Sequence, residues 1–167
     1  MNDTLEAVLQ RFEAAAAKFM TCVDSAPTLE RDVFLLKVER SLAELYCTAL
    51  AIPAVEPESE HANKTAFPTE QWRALHGSLG EKFGEVDVHW LLFDSRQNDE
   101  PVQATLSAHI SEIYYDLKRN LQLKENGMGQ ADLMWESRFH FLVHWGRHAL
   151  QALKAIYDLQ HDKDLLD

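Results

Sequence analysis

Apolar positions recur at steps of three and four over most of the chain, the period of an α-helix with one buried face. In the first segment Leu5, Val8, Leu9, Phe12, Ala16, Phe19, Met20 and Val23 share a face, and Asp3 or Thr4 can cap its start. The run Ala14–Ala17 keeps side chains short and lets a neighbouring helix approach closely. Ser25-Ala-Pro-Thr28 reads as a turn. A second helix is expected from about Leu29 to Ala51, ending ahead of Pro53, with Phe34, Leu35, Val38, Leu42, Leu45, Tyr46, Ala49 and Leu50 as its stripe. Residues 53–68 carry three prolines among polar residues and predict one long polar loop. Glu58, Glu60 and His61 in that loop could hold a cation, although solvation is the simpler reading.

Thr69 can cap a third helix through about Phe83, with Trp72, Leu75, Leu79 and Phe83 on its face. Glu85–Phe93 begins by alternating and ends as an apolar run; flanked by helices, it is read as a short helix. A fourth long helix is expected from about Thr105 to Leu123, with His109, Glu112 and Asp116 within about 60° of one another along one flank. The loop KENGMGQ ends it. The last helix, Asp132 to Asp158, is the longest periodic run and has only Gly146 as a breaker. These elements predict an all-α fold, a single helical-bundle domain over residues 1–167 with about five main helices, mostly antiparallel.

Three charged or titratable features stand out against this pattern. On the last helix His140, His144 and His148 form a ladder at spacing four. An ideal wheel puts them on the polar side, about 200° from an apolar face built by Trp135, Phe139, Leu142, Trp145, Leu150 and Tyr157. Imidazoles at that spacing can share a divalent metal, but a straight stripe gives one ion only two ligands, so Glu112, Asp116 or His109 would have to complete the set. The ladder can instead pack under another helix and bond its acids, or lie hydrated. Glu39 falls inside the second helix's apolar face, as a snorkelling margin residue or as a buried acid in need of a cation. Arg138 falls inside the last helix's apolar face, and a guanidinium there requires a carboxylate. Glu39 and Asp116 are its candidate partners.

Composition narrows the classes. At 167 residues, 46% hydrophobic and 26% charged, the chain can bury its own core. A formal net charge of -11 with scattered bases argues against direct nucleic-acid binding and is compatible with a basic protein partner. Cys22 and Cys47 have no metal or redox spacing, which fits a reducing cytoplasm. The N-terminus lacks the features of a signal peptide, and no stretch approaches the ~20 apolar residues of a membrane span. Phosphate-binding, zincin, nucleophile-elbow and EF-hand motifs are all missing from the sequence.

The stretches IYYDLK (Ile113–Lys118) and WESRFHFLVHWGRH (Trp135–His148) resemble a family of small bacterial proteins described as a domain of unknown function. The leucine-rich segment Leu42–Pro53 and the pair Phe93-Asp94 are also similar, and the likeness spans about Leu29 to Tyr157. Glu112 stands where that family suggests Asp, which keeps a carboxylate. The resemblance implies an all-helical fold and no particular activity.

Two functional expectations follow. The first is a non-enzymatic protein that works by binding another protein, as an adaptor or an inhibitor of the immunity type, without a cofactor. The second is a metal- or small-ligand-binding bundle, a hydrolase among the options, that uses His140, His144 and His148 with Glu112 or Asp116.

Overall fold

Thr4 begins α1 (Leu5–Asp24): its hydroxyl accepts the Ala7 N–H at 3.3 Å. The computed structural model describes residues 4–59, 68–92 and 96–161, so Asp3, Glu60, His61 and the Phe93-Asp94 pair lie outside the described residues. Leu9, Phe12, Ala15, Ala16, Phe19 and Val23 are the buried side of α1, close to the face its periodicity predicts. A single 3-10 turn over Ala26–Thr28 leads into α2 (Arg31–Leu50), which packs along α1. Ile52 is buried just beyond the end of α2, whereas Leu50, expected in its stripe, is exposed.

Helix α3 (Thr69–Phe83) starts at Thr69, with Pro68 rather than Thr69 in the capping position. Gly84, at φ 59°, ends it in a conformation that side chains disfavour. The chain then departs from the expected short helix. After a 3-10 turn over Gly84–Asp87, β1 (Val88–Leu91) pairs antiparallel with β2 (Val102–Thr105). The alternation at the start of this segment was the local signal for a strand, and its partner lies beyond an intervening polar loop. In this pair His89 and Leu91 face one side, while Val88 and Trp90 face the other and are exposed.

Two side chains fasten the hairpin to α4 (Leu106–Glu125). Thr105 Oγ1 accepts the Ala108 N–H at 3.3 Å, and the buried Asp87 carboxylate accepts the Ser107 N–H and hydroxyl at 2.7 Å each. A negative charge at a helix N-terminus is favoured by the helix dipole. A turn through Gly127, at φ 84°, then reverses the chain.

The expected last helix is α5 (Gln130–His140) and α6 (Gly146–His161), joined by a π turn over Phe141–Trp145. Leu133, Ser137, Phe141, Trp145 and Ala149 form its buried seam at four successive steps of four. In an ideal helix each such step turns the seam by about 40°, and the π turn absorbs the extra residue, returning about 100°. This register change is why the ideal wheel misplaces the apolar face. Phe139, Leu142, Leu150 and Tyr157 are exposed, Leu142 to 60%. Gly146 makes the turn possible: a Cβ there would lie 2.5 Å from the Phe141 carbonyl oxygen and 2.9 Å from its ring.

Below the seam is the core. Trp145 is fully buried and stacks on Phe12 and against Phe141, whose ring meets Tyr46 edge-on; Phe34 stacks on Phe83. The fold is thus a helical bundle with one small hairpin.

Candidate functional site

The same register change brings the histidine ladder onto α4. His140, His144 and His148 keep a spacing of four through the π turn and face a stripe on α4 formed by His109, Glu112, Asp116 and Arg119. The two helices run antiparallel here: His148 meets His109, His144 meets Asp116, and His140 meets Arg119. Of the alternatives open in the sequence, the arrangement is the one in which the ladder packs under another helix and bonds to its polar groups.

Each contact constrains which ring nitrogen donates. His144 Nδ1 donates to Asp116 Oδ2 at 2.7 Å, since a carboxylate only accepts. That bond chiefly raises the His144 pKa above the ordinary imidazole value, with burial opposing it and the charges of Asp116 and Glu112 adding to the rise. Its Nε2 lies 3.8 Å from Glu112 Oε2. Burial is also the main reason the Glu112 carboxyl is raised.

The guanidinium of Arg119 donates to His140 Nε2, so the proton of His140 is on Nδ1, 3.8 Å from Asp116 Oδ1. Burial and then Arg119 lower the His140 pKa. Arg119 also bonds the buried Glu136 at 2.9 Å. At the other end His109 Nδ1 is 2.8 Å from His148 Nδ1, and His109 Nε2 is 3.2 Å from His89 Nε2. A neutral imidazole has one N–H, so His109 donates on one side and accepts on the other, and the three rings form a directional chain. Burial first, then the neighbouring imidazoles, push His109 down to about 3; burial and then His144 push His148 down to about 4.

A cavity of about 190 Å³ opens beside this chain. Leu91 and Val143 make its apolar wall; His109, His144, His148, Arg147 and Gln151 supply the polar one. Among the described residues no carboxylate lines it. Its volume is that of about six water molecules, counting ~30 Å³ for each. It can therefore hold a small ion or a compact polar group.

The sequence-derived candidates divide into two groups. His109, Glu112, Asp116, His140, His144 and His148 are brought together. Arg138 and Glu39 are not part of that cluster. Arg138 is half-buried and donates to the Ile52 backbone carbonyl at 2.9 Å, in place of the expected carboxylate. This bond joins α5 to the end of α2. Glu39 is half-buried on α2. Among the described residues, Arg119, three residues beyond Asp116 on the same stripe, is a cation that pairs with a buried acid between helices. That spacing was visible in the sequence. Arg147 and His89 were missed because one needs the π turn and the other needs the hairpin.

The three ladder histidines hydrogen-bond different partners, although the His140 and His144 rings both face Asp116. Among the described residues no group of three or more His, Cys, Asp or Glu side chains is placed to hold a metal ion. Cys22 and Cys47 are free thiols, and no described helix is long and apolar enough to cross a membrane.

No curated protein matches the chain. A solved structure, the crystal structure of protein BF1032 from Bacteroides fragilis, is similar with a TM-score of 0.77 and 20% identity over 91% of each chain, a likeness of fold alone. The family model for Domain of unknown function (DUF5063) matches residues 3–162, and the chain belongs to that family.

Proposed function

We propose that this protein binds a small anion, such as a sulfate, a phosphate or a compact carboxylate, in the cavity between β1 and the start of α6. The observation that carries this reading is the cavity lining. Arg147, a histidine whose protonated form is favoured by Asp116, an amide and two neutral imidazoles line it without a carboxylate among the described residues. The exposed Arg147 guanidinium and the protonated His144 ring at the rim of this pocket favour a ligand that only accepts. The ligand-binding expectation is retained in this form, without a metal.

Titration calorimetry with sulfate tests it. One site per chain is expected, weakened about tenfold or more by Arg147→Gln or by His144→Gln, the loss of one charged hydrogen bond. Heat that fails to saturate, or affinity unchanged in both variants, would overturn the reading.

The protein-binding reading keeps one supporting observation. Trp90, Leu142 and Val143 are 68%, 60% and 59% exposed, large apolar side chains that a protein partner could cover. In that reading the partner binds as to an adaptor or an immunity-type inhibitor, and a basic partner suits the acidic surface. A single protein recovered in pull-downs, and lost with Trp90→Ser and Leu142→Ser together, is its expected result; no such protein, or one that both variants retain, would oppose it. The two free thiols fit a reducing, cytoplasmic setting.

A further inference from the structure

A second cavity, of about 370 Å³, lies between α1, α4 and α5, separate from the histidine ladder. Ala14, Ala17, Met20, Leu117 and Leu121 are among the residues that give it long apolar walls. The short side chains of the alanine run leave the space open. Its volume falls at the lower end of the ~300–1,000 Å³ typical of small-molecule pockets.

The polar atoms of this groove are unequally satisfied. Ser137 Oγ donates to the Leu133 carbonyl at 2.7 Å, so it can only accept from Asn120, whose amide nitrogen lies 3.1 Å away. This fixes the Asn120 amide with Oδ1 turned from Ser137. Asn120 is only 7% exposed, and Oδ1 has no partner among the described residues. One turn further along α4, Lys124 bonds Glu13 Oε2 at 2.6 Å and leaves the buried Glu13 Oε1 likewise unpartnered. Both unpartnered atoms are acceptors. An occupant that satisfies them brings donors, and one with several donors on a single atom can serve both.

We propose that this groove binds a linear aliphatic amine, its chain against the alanine run of α1 and its ammonium on Asn120 Oδ1 and Glu13 Oε1. The positive head suits the net charge of -11 and both unpartnered acceptors, while a carboxylate head would meet those acceptors and, as the lining cation, a Lys124 already held by Glu13. This site is independent of the anion cavity, and either can fail without the other.

Titration calorimetry and amide NMR mapping with decylamine test the proposal, using decanol and decanoate as comparisons and the full chain throughout. Decylamine is expected to saturate one site per chain below its micelle concentration and to shift the amides of Ala14, Ala17 and Leu121. Decanoate is expected to bind at least about tenfold more weakly, the effect of facing acceptors it cannot satisfy. Ala17 is exposed, so Ala17→Trp fills the groove from outside the core and is expected to abolish decylamine binding while sulfate binding persists. Asn120→Leu keeps the groove and Glu13, and is expected to reduce the preference for the amine over decanol. Equal affinity for decanoate, shifts elsewhere on the protein, or binding that survives in folded Ala17→Trp would overturn it. So would sedimentation showing a dimer that Ala17→Trp dissociates, since a second copy would then be the occupant.

Discussion

His144 of the π turn and Asp116 of α4 lie against each other, with Nδ1 2.7 Å from Oδ2. The bond links the last helix to the acidic stripe of α4 and keeps a proton on an imidazole at the edge of a cavity. Asp116→Asn removes the acceptor charge and is expected to bring the His144 pKa down, read from its ring protons by NMR. Because the folded pKa is raised, the stability from this bond is complete below the ordinary imidazole value and is lost as pH rises through the folded pKa. The side chain is 40% exposed, so water screens part of the effect. An unchanged His144 titration in Asp116→Asn would contradict the assignment.

His109 and His148 act with the opposite sign. Their folded pKa values, about 3 and about 4, are depressed, so the unfolded chain takes up protons first on acidification. Stability from these neutral rings is complete above pH ~6.5 and is lost as pH falls below it, by about 1 kcal/mol per pH unit for each ring. Urea unfolding between pH 7 and 5, above the carboxylate range, is expected to show this loss, and His109→Leu to flatten it. Stability that holds level to pH 5 would argue against buried neutral rings.

Gly146 sets the register of the ladder. Gly146→Ala places a Cβ against the Phe141 carbonyl oxygen, and the π turn must shift or unwind. The expected cost is about 1–3 kcal/mol in urea unfolding, the range for overpacked sites. The His144 pKa is expected to fall toward the ordinary value in the same variant, because its partner is on the other helix. A stable Gly146→Ala protein with an unaltered His144 titration would contradict this account of the π turn.

Arg119 balances Glu136, which is 7% exposed. Arg119→Met leaves that carboxylate buried without its cation and is expected to cost about 3 kcal/mol. Adding Glu136→Gln is expected to restore most of the loss. A double variant no more stable than the single one would show that the pair contributes little.

The sequence made the helical stripes legible because their periodicity is local: the buried face of α1, apart from the exposed Leu5, can be read from spacing alone. It made the polar partners legible in part. His109, Glu112 and Asp116 were grouped correctly on one flank, and the ladder was seen as one line. The side it faces was not legible, since a wheel assumes 3.6 residues per turn and the Phe141–Trp145 turn breaks that assumption. For the same reason the wheel puts Arg138 inside the apolar face, whereas it is half-buried and bonds the Ile52 carbonyl. The hairpin was hidden because β1 gains its hydrogen bonds from residues beyond the next loop, and short alternating segments do not announce such a partner.

Sulfate affinity measured against pH tests the central claim most directly, because sulfate does not titrate in the range where His144 does. The anion-binding account predicts affinity that falls by up to about tenfold per pH unit above the His144 pKa, the slope of one linked proton. It predicts that the midpoint of this loss moves down with the His144 pKa in Asp116→Asn. Sulfate binding that ignores pH, or that ignores Asp116→Asn, would contradict the account.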